Sequence, residues 1–422
     1  MKQVFSIILL FCVVSTFAQK KILEHSDFDI WNTIQGQTIA PNGKFVLYAL
    51  EKGEKDNHLK IKDANGNLVF DHERSERGEF TYDSNFALFS IKAWKDSITE
   101  MKRRKVKKDK MPKDTMGIYN LQSKSLHKIA NIKSYKSPDK WSGFIAYTFE
   151  EVKKDTPKKT EKDSISKDST KTESKSKKKA KVASDKNGYP LVIRNLQTTK
   201  EDTIQFVTNY IFAKEGKMLS YITTGDDANV KAGVYVVDLS TNQTKQVFDS
   251  HDKTKYFELS FSDSGKNLGF VVDADSTKAY VRPNKLYTWN ASNGMAKLVV
   301  DSETAPKGYR VSSDGNVSFS KDDSKLYFGL ALPAIVQDTL LLDDEIVSVE
   351  VWTYDEPRLY TVQELQVKND QKKSFQTVYH LNNKKLVQIA TEAYPDSRLA
   401  DEGNGTFALV SNEEPYLLES QW

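Results

Sequence analysis

A tight-turn signal followed by a short alternating strand recurs six times along this chain, each time with a second hairpin behind it. That period limits the fold more than any single residue does. The clear copies are Ile39-Ala-Pro-Asn-Gly-Lys-Phe-Val-Leu-Tyr-Ala, Phe212-Ala-Lys-Glu-Gly-Lys-Met-Leu-Ser-Tyr, Phe261-Ser-Asp-Ser-Gly-Lys-Asn-Leu-Gly-Phe-Val and Phe319-Ser-Lys-Asp-Asp-Ser-Lys-Leu-Tyr-Phe. Weaker copies are Tyr82-Asp-Ser-Asn-Phe-Ala-Leu-Phe and Lys136-Ser-Pro-Asp-Lys-Trp. Asn, Asp and Gly accept the backbone angles of a tight turn, and the alternation after them makes a strand with one buried face.

The second hairpins begin at Leu59, Gly117, Val192, Val234, Leu286 and Val378. Two hairpins make a four-stranded sheet that cannot bury both faces alone, so neighbouring sheets must stack on it. A long β-sandwich is the competing reading, but paired hairpins at blade-like intervals favour a propeller. The expectation is an all-β β-propeller of six four-stranded blades. It includes the start of a seventh at Gly405-Thr-Phe-Ala-Leu-Val-Ser, which leaves an incomplete ring.

The chain has 422 residues, enough for two or three ordinary domains, and the repeats favour one large β-domain over residues 22–422. Its 62 basic and 58 acidic residues leave a net charge of +4, too even for a surface that tracks nucleic-acid phosphates. Residues 1–18 read as a secretory signal: Lys2, an apolar run from Val4 to Val14, and small residues before a cut after Ala18. The run is too short to span a bilayer, so no membrane contact is expected after cleavage, and the location is periplasmic or extracellular. The lone cysteine, Cys12, lies inside that signal and follows Phe11, which does not suit lipid attachment. The mature chain therefore has neither disulfides nor thiolate chemistry.

Residues 152–188 are almost wholly Lys, Asp, Glu, Ser and Thr, and so read as a disordered insertion within a blade. Residues 95–113, with Lys102-Arg-Arg-Lys-Val-Lys-Lys, read as a charged, solvated loop between strands, an anionic partner being the weaker alternative.

Catalytic apparatus is not found. There is no G-x-S-x-G pentapeptide to place a nucleophilic serine on a sharp turn. His25, His58, His72, His127, His251 and His380 are scattered, without ligand spacing, and read as surface or loop histidines. No phosphate-binding glycine loop is present. The paired acids Glu150-Glu151, Asp343-Asp344-Glu345 and Glu413-Glu414 could grip a substrate amine, but read as solvated loop acids. Catalytic, cofactor and metal residues are accordingly expected to be none, with no cofactor. The aromatic stretch Val349–Gln363, around Trp352, Tyr354 and Tyr360, reads as a strand whose rings fill the space between blades.

Phe28-Asp-Ile-Trp31 after the signal, Met111-Pro-Lys-Asp-Thr-Met-Gly-Ile118, the insertion in the third blade and the Trp352–Gln363 stretch together resemble a known family. It is the amino-terminal propeller of exported serine peptidases of the prolyl-oligopeptidase family, closest to large secreted forms of Bacteroidota-like bacteria. The resemblance implies a propeller that gates peptide substrates to a following α/β-hydrolase domain, which performs acyl transfer with a Ser, His and acid triad. That domain is not in the sequence, so no triad residue is carried over. The chain is expected to be a fragment of a longer reading frame, inactive alone. The alternative is a non-catalytic secreted propeller that binds a protein or glycan. Cleavage specificity, whether dipeptidyl or internal, and oligomeric state stay open.

Overall fold

The computed structural model describes residues 22–53, 55–150, 181–226, 230–251, 253–277, 279–336, 338, 340–342, 344–346, 349, 353–354 and 356–419. The expected signal at 1–18 with Cys12, the greater part of the expected insertion, and Glu151, Asp343, Trp352 and Asp355 lie outside the described residues. The chain divides into two compact units. One holds residues up to Phe80 with Phe86–Ile129; the other holds Thr81–Asn85 and everything from Ala130.

In the first unit, β1 (Thr33–Ile39), β2 (Phe45–Lys52), β3 (Lys55–Asp63) and β4 (Leu68–Glu73) form an antiparallel four-stranded meander. A second meander follows in β5 (Ser75–Phe80), β6 (Phe86–Ile91), β7 (Asp114–Asn120) and the start of β8 (Leu126–Lys136). Leu47 of β2, Leu59 and Ile61 of β3 and Phe89 of β6 are wholly buried in one core, the alternation expected of strands with a single buried face.

In the second unit, the remainder of β8 pairs with β9 (Phe144–Phe149), followed by β10 (Tyr189–Asn195) and β11 (Glu201–Phe212). β11 serves two sheets. Its first half pairs with β10 and its second half with β12 (Met218–Thr223), which continues into β13 (Gly233–Asp238) and β14 (Gln243–Asp249). The change of partner falls at Phe206, whose φ of 56° is left-handed, so the strand bends without breaking. Next come β15 (Lys255–Phe261), β16 (Asn267–Asp273), β17 (Lys285–Asn290) and β18 (Lys297–Val300). The last full meander has a divided first strand, β19 (Arg310–Val311) and β20 (Ser318–Phe319), both paired with β21 (Lys325–Ala331), then β22 (Phe375–His380) and β23 (Leu386–Gln388). A hairpin of β24 (Asp396–Leu399) and β25 (Ala408–Ser411) ends the series.

Successive sheets of this unit stack face on face. Leu268, Phe270 and Val272 of β16 pack with Val234 and Val236 of β13, while Val271, from the opposite face, packs with Leu326 and Phe328 of β21. Burial on both faces is why β16 is buried along its whole length. The class is all-β and β-propeller: meanders stacked in chain order, each covering a face its neighbour cannot bury alone.

Each expected turn copy forms the first hairpin of a sheet, and each expected second hairpin forms its last two strands. Equivalent turn positions take left-handed backbone at Gly43 and Gly265, and at Ser84 and Asp323 where no glycine stands.

Four readings need correction. Residues 95–113 are not simply a loop: Lys95–Arg103 is a helix, α1, with Asp96 in its first turn and Lys102 and Arg103 in its last, charges that interact favourably with its dipole. Among the described residues of the aromatic stretch the expected strand is not found: Tyr354 is 98% exposed and Tyr360 opens a second helix, α2 (Tyr360–Asp370), beyond Pro357. Within the expected insertion, residues 181–188 are a turn closed by a Ser184–Gly188 bridge. The strand read as opening a seventh unit is the second of its hairpin, after β24.

Candidate functional site

The two ends of each sheet differ. At the end bearing the repeated turns, connections are short. At the other end the chain passes from the second strand to the third, and every long connection leaves there: 92–113, 150–188, 274–284 and 332–374. We call these the turn end and the loop end.

In the second unit the turn end is interlocked from one sheet to the next. Lys140 Nζ lies 3.2 Å from Glu215 Oε1, and Lys321 Nζ lies 2.7 Å from that oxygen and 2.5 Å from Asp263 Oδ2. The Glu215 N–H donates to the Asp263 carbonyl at 2.8 Å, and the Trp141 indole to the Ala213 carbonyl at 3.0 Å. Ser264 Oγ donates to Asp323, and the Lys321 N–H to the carbonyl of Glu402. Hydrogen bonds from Lys321 and then Lys140 hold the Glu215 carboxyl below its ordinary range, and Asp263 and Glu215 push the Lys321 ammonium up. Charges satisfied this fully by one another are scaffold, not reactive groups.

The loop end of the same unit is less self-contained. Asp273, buried at the end of β16, takes a two-pronged contact from Arg282, Nε to Oδ2 at 2.7 Å and Nη2 to Oδ1 at 3.0 Å. Arg282 also donates to the carbonyls of Thr277 and Asp275, which pins the 274–284 loop. Lys181 Nζ donates to the carbonyls of Thr224 and Gly225 at 2.7 and 2.8 Å, so the 181–188 turn is tied to the next sheet. Asn284 Nδ2 donates to the Val311 carbonyl at 3.1 Å, which Arg310 Nη1 also approaches at 3.5 Å. Burial lowers the pKa of Arg310, whose side chain is half-buried. In the 332–374 connection, Ile335, Leu340, Tyr354 and Leu365 are almost fully exposed.

Among the described residues, the acids singled out from sequence do not meet. Glu150 Oε2 lies 3.7 Å from Lys133, Glu345 accepts from the Leu342 N–H at 2.9 Å, and the Glu414 N–H is held by Asn412. The histidines are equally dispersed, and no cluster of three metal-ligating side chains occurs among the described residues. His58 faces Asp71 at 2.9 Å, His251 contacts the Ala274 carbonyl, and His127 is exposed in β8. Among the described residues, the nearest approach to a nucleophile and base is Ser75 Oγ, 2.8 Å from His72 Nδ1. Ser75 is completely buried and also donates to the Glu73 carbonyl, so the pair is a structural bridge. Sequence reasoning passed over Arg310 and Asn284, because a residue's lack of partners is not written in its neighbours along the chain.

No known protein family matches this sequence, and no curated protein does. Solved structures with some likeness include the β-propeller domain of the Trilobed protease from Pyrococcus furiosus, at 12% identity and a TM-score of 0.36, covering 86% of each chain. An acylaminoacyl peptidase from Pyrococcus horikoshii gives 11% identity and a TM-score of 0.36, over 88% of this chain and 48% of the peptidase. A eukaryotic initiation factor gives 12% and 0.42, over 88% and 70%. The chain thus spans about half the length of that acylaminoacyl peptidase (48%). Likenesses this distant carry no argument; the propeller class stands on the strand pairing and stacking described above.

Proposed function

We propose that this chain is the propeller region of an exported serine peptidase of the prolyl-oligopeptidase type, with six blades and part of a seventh, that admits peptides to a catalytic domain elsewhere in the same protein. The observation that carries this reading is the unevenness of the sheets. In the second unit short interlocked turns close one end of the sheets, while long connections with exposed apolar side chains leave from the other. Stacked sheets elaborated at one end only suit a filter for extended substrates. Acyl transfer by a serine, a histidine and an acid would then belong to the catalytic domain, and the location would be periplasmic or extracellular.

The test is to compare this chain with the full reading frame, using a fluorophosphonate probe and a mixture of short peptides. The expected result is that the longer protein is labelled and cleaves peptides, while the chain of 422 residues binds peptides but is neither labelled nor active. Labelling of the shorter chain, or a reading frame without a hydrolase domain, would overturn the proposal.

A further inference from the structure

Arginines withdrawn from solvent are ordinarily paired with carboxylates, because the guanidinium never gives up its charge. Arg310 is an exception. No carboxylate lies within ion-pair distance of it among the described residues, its Nε is buried without a partner, and its one hydrogen bond is the long contact to Val311. Nη2, which is not enclosed, bonds to nothing among the described residues. Asp314 acts on Arg310 only through space, and its carboxylate accepts from Ser313 Oγ at 2.8 Å.

The neighbouring group has the complementary deficit. Asn284 is buried, with its amide nitrogen spent on the same Val311 carbonyl and its Oδ1 left without a donor. One carbonyl therefore holds side by side a cationic fork in need of an acceptor and an amide oxygen in need of a donor. Buried polar groups are rarely left so. Arg310 opens β19 at the loop end of its sheet, next to Tyr309, whose ring meets Phe375 edge-on at 5.7 Å.

We propose that Arg310 and Asn284 form a carboxylate-binding site. The guanidinium of Arg310 would donate to the carboxylate through Nη2, the nitrogen that is not enclosed, while Asn284, bonded to the same Val311 carbonyl, holds the enclosed edge of the site. The choice of a peptide ligand rests on the function proposed above, whereas the anion chemistry does not. Two sources share that chemistry, a peptide C-terminus and an acidic side chain.

Fluorescein-labelled hexapeptides of Gly and Ala are titrated into this chain in three forms: free acid, C-terminal amide, and amide with one internal Glu. One of the acid-bearing forms is expected to bind about tenfold or more tightly than the neutral amide. Preference for the free acid assigns the site to the C-terminus, and preference for the Glu form assigns it to a side chain. Arg310→Met should abolish the preference, and Arg398→Gln, an exposed control in β24, should keep it. Asn284→Asp, which gives Arg310 an internal carboxylate, should abolish it as well, and serves if Arg310→Met fails to fold. Equal binding of all three peptides, or a preference that survives both variants, overturns the site. If no peptide binds, the peptide reading fails, and the site is judged with N-acetylglycine against N-acetylglycinamide. Thermal stabilisation by the acid alone, lost in Arg310→Met, supports it; no stabilisation sinks it.

Discussion

A methyl group on Gly216 would stand 2.1 Å from the carbonyl oxygen of Ser264, because the first turns of two successive sheets touch backbone to backbone. Only a glycine fits that contact. Gly216→Ala must push the two turns apart and disturb the Glu215 to Asp263 hydrogen bond beside them. A loss of roughly 2 kcal/mol is expected, typical of overpacking. Gly294→Ala, at a position with nothing within 4 Å, should change stability little. Urea unfolding of the two variants checks this.

The ion network at the turns makes a separate prediction. Lys321 bridges Glu215 and Asp263 from a third sheet, so Lys321→Met should lower the unfolding midpoint. Since screening weakens such partly exposed pairs, the gap between variant and parent should narrow as salt rises from about 0.05 M to about 1 M. The folded-state pKa of Glu215 is depressed, so its contribution is present in full above the ordinary carboxylate range and is lost as pH falls from there through the lower folded-state value. Melts at several salt concentrations decide the matter; an unchanged gap would show that the network adds nothing electrostatic.

Asp273 is buried and held by Arg282 from the 274–284 loop. Asp273→Ala should cost roughly 2 kcal/mol, less than breaking a fully buried pair, because Arg282 can turn towards solvent. Hydrogen exchange should show faster opening of amides in the 274–284 loop, with the turn end of the same sheet protected as before.

His72 packs beside Phe70 and Phe89, and burial lowers its pKa below the usual 6.5, with help from Lys128 and Arg74. As pH falls through 6.5, the unfolded chain takes up the proton before the folded one does. Stability is therefore full above that value and declines below it, until the folded pKa is passed. Midpoints measured from about pH 7.5 to about pH 5 should fall in the parent and fall less in His72→Gln. The carboxylates depressed by their hydrogen bonds act in a more acid window, so the two effects separate.

The regular part of this fold was legible from short-range chemistry. The turn at Phe261-Ser-Asp-Ser-Gly appears as a hairpin because Gly265 takes left-handed backbone, and the residues after it alternate between two buried faces. Helix α1 also had its signal, with an acid in the first turn and bases in the last, but the density of charge at Lys102–Lys108 masked it. Helix α2 lies where aromatic residues suggested a strand; the Gln, Glu, Leu and Lys residues behind Pro357 favour a helix once no neighbouring strand competes for the backbone.

Sequence alone settled the hairpins and their order, because turn angles and strand alternation depend on residues a few positions apart. Tertiary structure decided which charges meet and which are left over. Lys321 finds Glu215 across 106 positions, and Arg310 finds no acid among the described residues. Such pairings are fixed by how stacked sheets bring distant loops together, and no local pattern along the chain encodes them.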